Sequence, residues 1–196
     1  MKKIIIHALK VLALIPFFPL LTGCGYNTMV QMDEAVTAQW SQVENAYQRR
    51  ADLIPNLVST VKGYANFEQQ TLTQVIEARA KATSVNINPE NLNAESIQQF
   101  QAAQDGLSSA LSRLMVVVEQ YPELKANQNF LDLQAQLEGT ENRIAVERRK
   151  FNESTQGYNT YIRKFPQLIV ASIFGFDKKE YFEATEGAEK PPQVQF

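Results

Sequence analysis

The chain has 196 residues and a formal net charge of −2, with a single Cys, Cys24, and a single His, His7. Cleavage before Cys24 with acylation of its sulfur removes every imidazole and free thiol, which excludes Ser-His-Asp and Cys-His nucleophiles, His- or Cys-ligated zinc, iron–sulfur clusters, His-ligated haem and an intramolecular disulfide. Lys2, Lys3 and Lys10 fall before Cys24 and no acid does, so 16 basic and 21 acidic side chains remain, a net of −5 that is unsuited to binding nucleic acid.

Met1-Lys2-Lys3 leads into an uninterrupted apolar run, Val11–Leu21. At 11 residues it is short of the roughly 20 that span a bilayer and fits the hydrophobic region of a secretory signal. Leu21-Thr22-Gly23-Cys24 follows and resembles the bacterial lipobox. That resemblance implies cleavage before Cys24, diacylation of its sulfur and acylation of its new amine, which anchors stably where one chain would not. The covalent lipid on Cys24 is the only prosthetic group expected. The alternative is an uncleaved signal anchor over residues 4–24, interrupted by His7 and Lys10. Gly25 stands where an Asp would retain a lipoprotein in the inner membrane, so the outer membrane is expected if the organism is Gram-negative. The expected divisions are a signal peptide over 1–23, an anchor and short linker over 24–28, a helical body with its C-terminal flank over 29–182, and a polar tail over 183–196.

From Met29 on, apolar residues recur at alternating spacings of four and three. The first seam runs Val36, Trp40, Val43, Tyr47, Arg50, Ile54, Leu57, Val61, Tyr64, Glu68, Thr71, Val75, Ala78 and Ala82. This is heptad periodicity of the bundle type. It passes Pro55 without a phase slip, which favours one long helix kinked there over a hairpin at Arg50–Asp52 with Asp52 as cap. Ser84–Asn93, with Pro89 and four Asn, is a connection. The second seam runs from Ile97 to Tyr121 and Pro122 stops it. The third runs from Phe130 to Phe165 and Pro166 ends it, a helix of roughly 60 Å. Each helix has one apolar stripe and needs the others to cover it. Short connections make neighbours antiparallel. The expected fold is all-α, an antiparallel up-and-down bundle of three to four long helices with shallow, left-handed crossings. Leu168–Phe176 is dense in apolar residues. It reads as a short helix and extended strand packed on the bundle's flank, or as an exposed patch for a partner or membrane.

Charged residues interrupt the seams: Arg50 and Glu68 in the first, Glu141 and Arg148 in the last. Buried unpaired charge is costly, so these are expected to pair with one another or with Asp52 and Glu119. Asn152 and Asn159 lie beside this stripe, one heptad apart. The bland reading is a register device. The sharper ones are a groove for an anionic ligand or peptide at Arg50, Glu141 and Arg148, or a carboxylate-only metal site. Carboxylate acid–base hydrolysis of an envelope polymer is a further alternative. The aromatics, however, fall in the seams rather than in a cleft.

Several blocks resemble the LemA family in order along the chain. They are Arg49-Arg50-Ala51-Asp52-Leu53-Ile54-Pro55-Asn56-Leu57-Val58, Thr60-Val61-Lys62-Gly63-Tyr64, and Glu119-x-Tyr121-Pro122-x-Leu124-Lys125-Ala126-Asn127. Leu137-x-x-Thr140-Glu141-Asn142-x-Ile144-Ala145, Tyr158-Asn159, Phe165-Pro166, Phe174-Gly175-Phe176 and Tyr181-Phe182 continue the match. The resemblance spans about Tyr26 to Phe182. It implies a helical bundle and membrane association and transfers no catalytic residue. Family members often carry a noncleaved transmembrane helix where this chain has the lipobox-like end. One relative takes part in forming the magnetosome membrane, and some members are encoded near membrane metalloproteases. The expectation is a non-enzymatic scaffold or interaction protein of the cell envelope, held to the membrane by its lipid. An envelope protein is the expected partner, a membrane protease among the candidates.

Overall fold

Helix α1 spans Phe18–Lys62, 45 residues with Pro55 inside it. The computed structural model describes residues 18–63, 68–89 and 92–183, with side chains from residue 25 onward. The residues before Phe18, which belong to the expected signal peptide, the side chain of Cys24 and nearly all of the polar tail lie outside the described residues. The backbone from Cys24 to Thr28, set aside above as a linker, is helical.

Pro55 does not end α1 because its missing N–H is compensated from outside. A proline leaves the carbonyl four residues earlier without its helical donor. That carbonyl belongs to Ala51, and Arg79 Nε donates to it at 2.8 Å. Residues 50–56 therefore form neither the hairpin nor a chain break.

The turn comes later, after Lys62, where Gly63 N–H bonds back to the Thr60 carbonyl. Neither reading of the first seam placed a break here. Helix α2, Gln69–Ser84, then folds back along α1. The seam kept its phase because both helices turn their stripes to one core and the connection happens to preserve the heptad count.

Helix α3, Ala94–Val118, begins at Asn93, whose side chain accepts from Ser96 N–H at 2.9 Å. This is an N-cap that satisfies an orphan donor of the first turn. A four-residue helix α4, Pro122–Lys125, starts at the proline that stops α3. Asn127 caps α5, Gln128–Ile162, by accepting from Phe130 N–H. At 35 residues α5 is about 52 Å long. Helix α6, Gln167–Phe174, closes on Gly175 at φ 73°, a left-handed C-terminal residue that only glycine adopts without strain. Phe176 N–H then bonds the Ala171 carbonyl.

The long helices alternate in direction. Trp40 of α1 meets Phe151 of α5, and Arg50 meets Glu141, so residue numbers rise in one helix as they fall in the other. The fold is an all-α up-and-down bundle in which α1 packs along α5 and α2 along α3. Its core has two apolar halves. One gathers Trp40, Tyr47, Phe100, Phe151, Tyr158 and Phe182 around the α1 N-terminal end. The other gathers Leu53, Leu57, Leu107, Leu114, Phe130 and Leu137. No helix among the described residues is long and apolar enough to cross a membrane.

Candidate functional site

The two apolar halves are separated by a polar layer. Tyr47, Phe100 and Ile144 bound it on one side, and Leu53, Leu107 and Leu137 on the other. Arg50 lies between them on α1 and is 1% exposed. Its Nη1 donates to Ser108 Oγ of α3 at 2.8 Å and to Glu141 Oε1 of α5 at 2.5 Å. Its Nη2 donates to the Gln104 carbonyl and to Gln104 Oε1 at 2.7 Å. Gln104 in turn donates to the Ala82 carbonyl of α2. One guanidinium thus ties α1 to α3 and α5 directly and to α2 through one amide. It also lies over the Tyr47 ring at 5.1 Å. Burial pushes the Tyr47 hydroxyl up, with Arg148 and Arg50 opposing. Within this guanidinium, Nε alone finds no acceptor among the described residues.

Arg148, Asn152 and Asn159 form a second cluster on α5, which grips the extended C-terminal segment. Asn159 donates to the Lys179 carbonyl at 2.8 Å and accepts from Lys179 N–H at 3.0 Å. Asn152 does the same for Phe182, at 3.0 and 2.9 Å. Each amide mimics one rung of a β-ladder. The spacing follows from geometry: seven helical residues rise about 10.5 Å, close to the length of three extended residues. An Asn pair one heptad apart therefore matches residues 179 and 182. Arg148 Nη2 donates to the Glu183 carbonyl at 2.8 Å and stacks over the Phe182 ring at 4.7 Å. Tyr158 donates its hydroxyl hydrogen to the Asp177 carbonyl. The clamp seats Phe182 against Trp40, rings stacked at 5.7 Å. The expected strand is thus an extended segment held by side-chain amides rather than by a sheet.

The remaining stripe residues belong to neither cluster. Asp52 accepts from Gln48 at 2.7 Å on the surface. Glu68 stands at the start of α2 and accepts from Thr71 Oγ1 at 3.1 Å. Glu119 pairs with Lys125 in solvent. Arg50 and Glu141 pair as expected, whereas Arg148 takes a backbone carbonyl instead of an acid.

Two buried charges were not singled out in the sequence. Glu147 accepts from Gln39 of α1 at 2.8 Å and pairs with Lys150. The Gln39 hydrogen bond, then Lys150 and Arg143, hold its carboxyl below the usual range against the opposing effect of burial. Lys179 pairs with Asp33 at 2.8 Å and fastens the tail to α1. Glu147 sits three residues after Ile144 and four before Phe151, so its seam-side position was legible. The Lys179 contact was not, because it depends on where the tail docks.

A groove of about 320 Å³ lies between α3 and α5, with Leu111, Met115, Leu137, Glu138 and Glu141 in its wall. Among the described residues, no His, Cys, Asp and Glu gather in a group able to hold a metal ion.

The LemA family model matches residues 39–196. The chain is 31% identical to magnetosome protein MamQ of Magnetospirillum gryphiswaldense, over 95% of this chain and 76% of that protein. It is 30% identical to magnetosome protein MamQ 2 of Paramagnetospirillum magneticum, over 95% and 75%. It is 24% identical to protein LemA of Metamycoplasma hominis, over 87% and 77%. The chain belongs to the LemA family.

Proposed function

We propose that this protein is a scaffold or interaction protein of the cell envelope, non-enzymatic and held to the membrane by lipid on Cys24. The observation that carries this reading is where the polar stripe spends its hydrogen bonds. Arg50, Glu141, Gln104, Asn152 and Asn159 fasten helices and tail to one another. What remains is a stiff body built on a helix that runs from Cys24 to Lys62, about 58 Å long, with its anchor at one end. Relatives named as magnetosome proteins support a role at a membrane. With Gly25 after the Cys, the outer membrane is the location we assign in a Gram-negative cell. An envelope protein is the partner, with a membrane protease among the candidates.

Binding of an anionic ligand at Arg50 and Arg148 is less well supported, because the first guanidinium is buried and the second is stacked on Phe182 and bonded to Glu183. A hydrolase using Glu141 has that carboxylate committed to Arg50.

In-cell crosslinking with mass spectrometry, on wild type and Cys24→Ala in parallel, tests the reading. Recurrent envelope partners in the wild type, reduced or absent in the variant, are expected. No envelope partner in either sample would contradict it and return attention to a ligand.

A further inference from the structure

Helix α6 and the turn before it hold an apolar surface in solvent. Phe165 is 81% exposed and Ile173 70%, with Leu168, Ile169 and Phe174 also exposed. Only Val170 and Ala171 of the helix are buried. A helix apolar nearly all round is ordinarily covered on every side. Here one side rests on the bundle and the other is bare.

The position of this face identifies what covers it. It lies at the end of the bundle where α1 begins. The Tyr26 ring packs edge-on against Phe174 at 4.9 Å and against Phe176 at 5.6 Å. A Cβ at Gly25 would stand 4.0 Å from Gln167 Cγ. Gly25 is the neighbour of Cys24, one Cα step of about 3.8 Å away. Tyr26 and Val30, both exposed, extend the same surface along α1. Arg163 and Lys164 stand at the start of this face, while Lys178 at its end pairs with Glu180 at 3.0 Å, which leaves a modest positive balance suited to anionic headgroups. The other exposed large apolar residues stand apart from this face, Ile76, Val116 and Leu131 on the far half of the bundle and Val146 midway along α5.

We infer that the Phe165–Phe174 face is a second membrane contact that enters the leaflet carrying the anchor. The inference rests on the anchored reading above. The acyl chains on Cys24 hold the face at the bilayer surface, so the helix needs little affinity of its own to stay inserted. The consequence is an oriented body: two contacts on one end fix how the bundle stands on the membrane, where a tether alone would let it swing.

Single cysteines placed at Leu168→Cys, Ile173→Cys and Val116→Cys in the full chain test this. Each protein is purified from bacterial membranes, labelled with an environment-sensitive fluorophore and reconstituted into phosphatidylethanolamine–phosphatidylglycerol vesicles. Nitroxide-bearing acyl chains should quench the label at 168 and 173 and leave the label at 116 bright. Quenching of the 173 label by aqueous iodide instead would overturn the inference. So would shielding from both quenchers, which would mean a second copy or another protein covers the face. Wild type separates the two readings. If its Cys24 takes no label and it floats with vesicles while 168 and 173 stay unquenched, only this inference falls. If Cys24 is labelled, the lipid anchor falls and this inference with it.

Discussion

Arg79 Nε donates a hydrogen bond at 2.8 Å to the carbonyl of Ala51, the carbonyl that Pro55 leaves without a helical donor. A side chain from the next helix thereby replaces a missing rung of α1 and fixes how α2 lies along it. Arg79→Met should lower stability by about 1–2 kcal/mol, the cost of an unsatisfied carbonyl. Pro55→Ala returns the rung, so Arg79→Met should cost markedly less in that background. Urea unfolding midpoints of the four proteins check this, and equal costs in both backgrounds would contradict it.

The polar layer makes an asymmetric prediction. Arg50 is buried while the Glu141 side chain is 47% exposed. Removing the acid strands a buried cation, so Glu141→Ala should cost about 3 kcal/mol. Glu141→Gln keeps an acceptor for Nη1 and should cost about half as much. Both are read from chemical unfolding.

The tail clamp can be read through the single tryptophan. Phe182 stacks on Trp40 and is buried. Phe182→Ala should shift Trp40 emission to the red and cost about 3–4 kcal/mol. Asn159→Ala leaves both backbone groups of Lys179 unpaired and should cost about 2 kcal/mol. Amide exchange should then speed at Lys179 more than in α3.

Glu147 sets a pH dependence. Its carboxyl is held below the usual range, first by Gln39 and then by Lys150 and Arg143. An acid depressed in the folded state contributes stability above its unfolded value, about 4.3, and loses it as pH falls through the folded value. Thermal midpoints should fall on acidification below that value, and Glu147→Gln, which still accepts from Gln39, should flatten the fall.

The seams made the helices legible because a heptad stripe records which face a helix buries, and Pro89 and Pro122 marked two of the connections. The break at Gly63 was hidden for the same reason. Val61 and Val75 fall on one continuous seam although they sit on antiparallel helices, since both point into one core. Arg50 and Glu141 were legible as a pair because charge at a seam position demands a partner. Asn152 and Asn159 were visible as a heptad pair, but their use was not. It depends on an extended segment some 20 to 30 residues later docking back on α5, a tertiary event that no local pattern encodes.

Location and orientation both depend on Cys24 as the proposed membrane anchor. The most direct measurement is the mass of the N-terminal peptide from protein isolated out of cell membranes, with wild type and Cys24→Ala fractionated side by side. The expected peptide begins at Cys24 and carries two or three acyl chains, with cleavage and acylation both lost in the variant. An unacylated wild-type chain that begins at Met1 and still sediments with membranes would contradict it and leave residues 4–24 as the anchor.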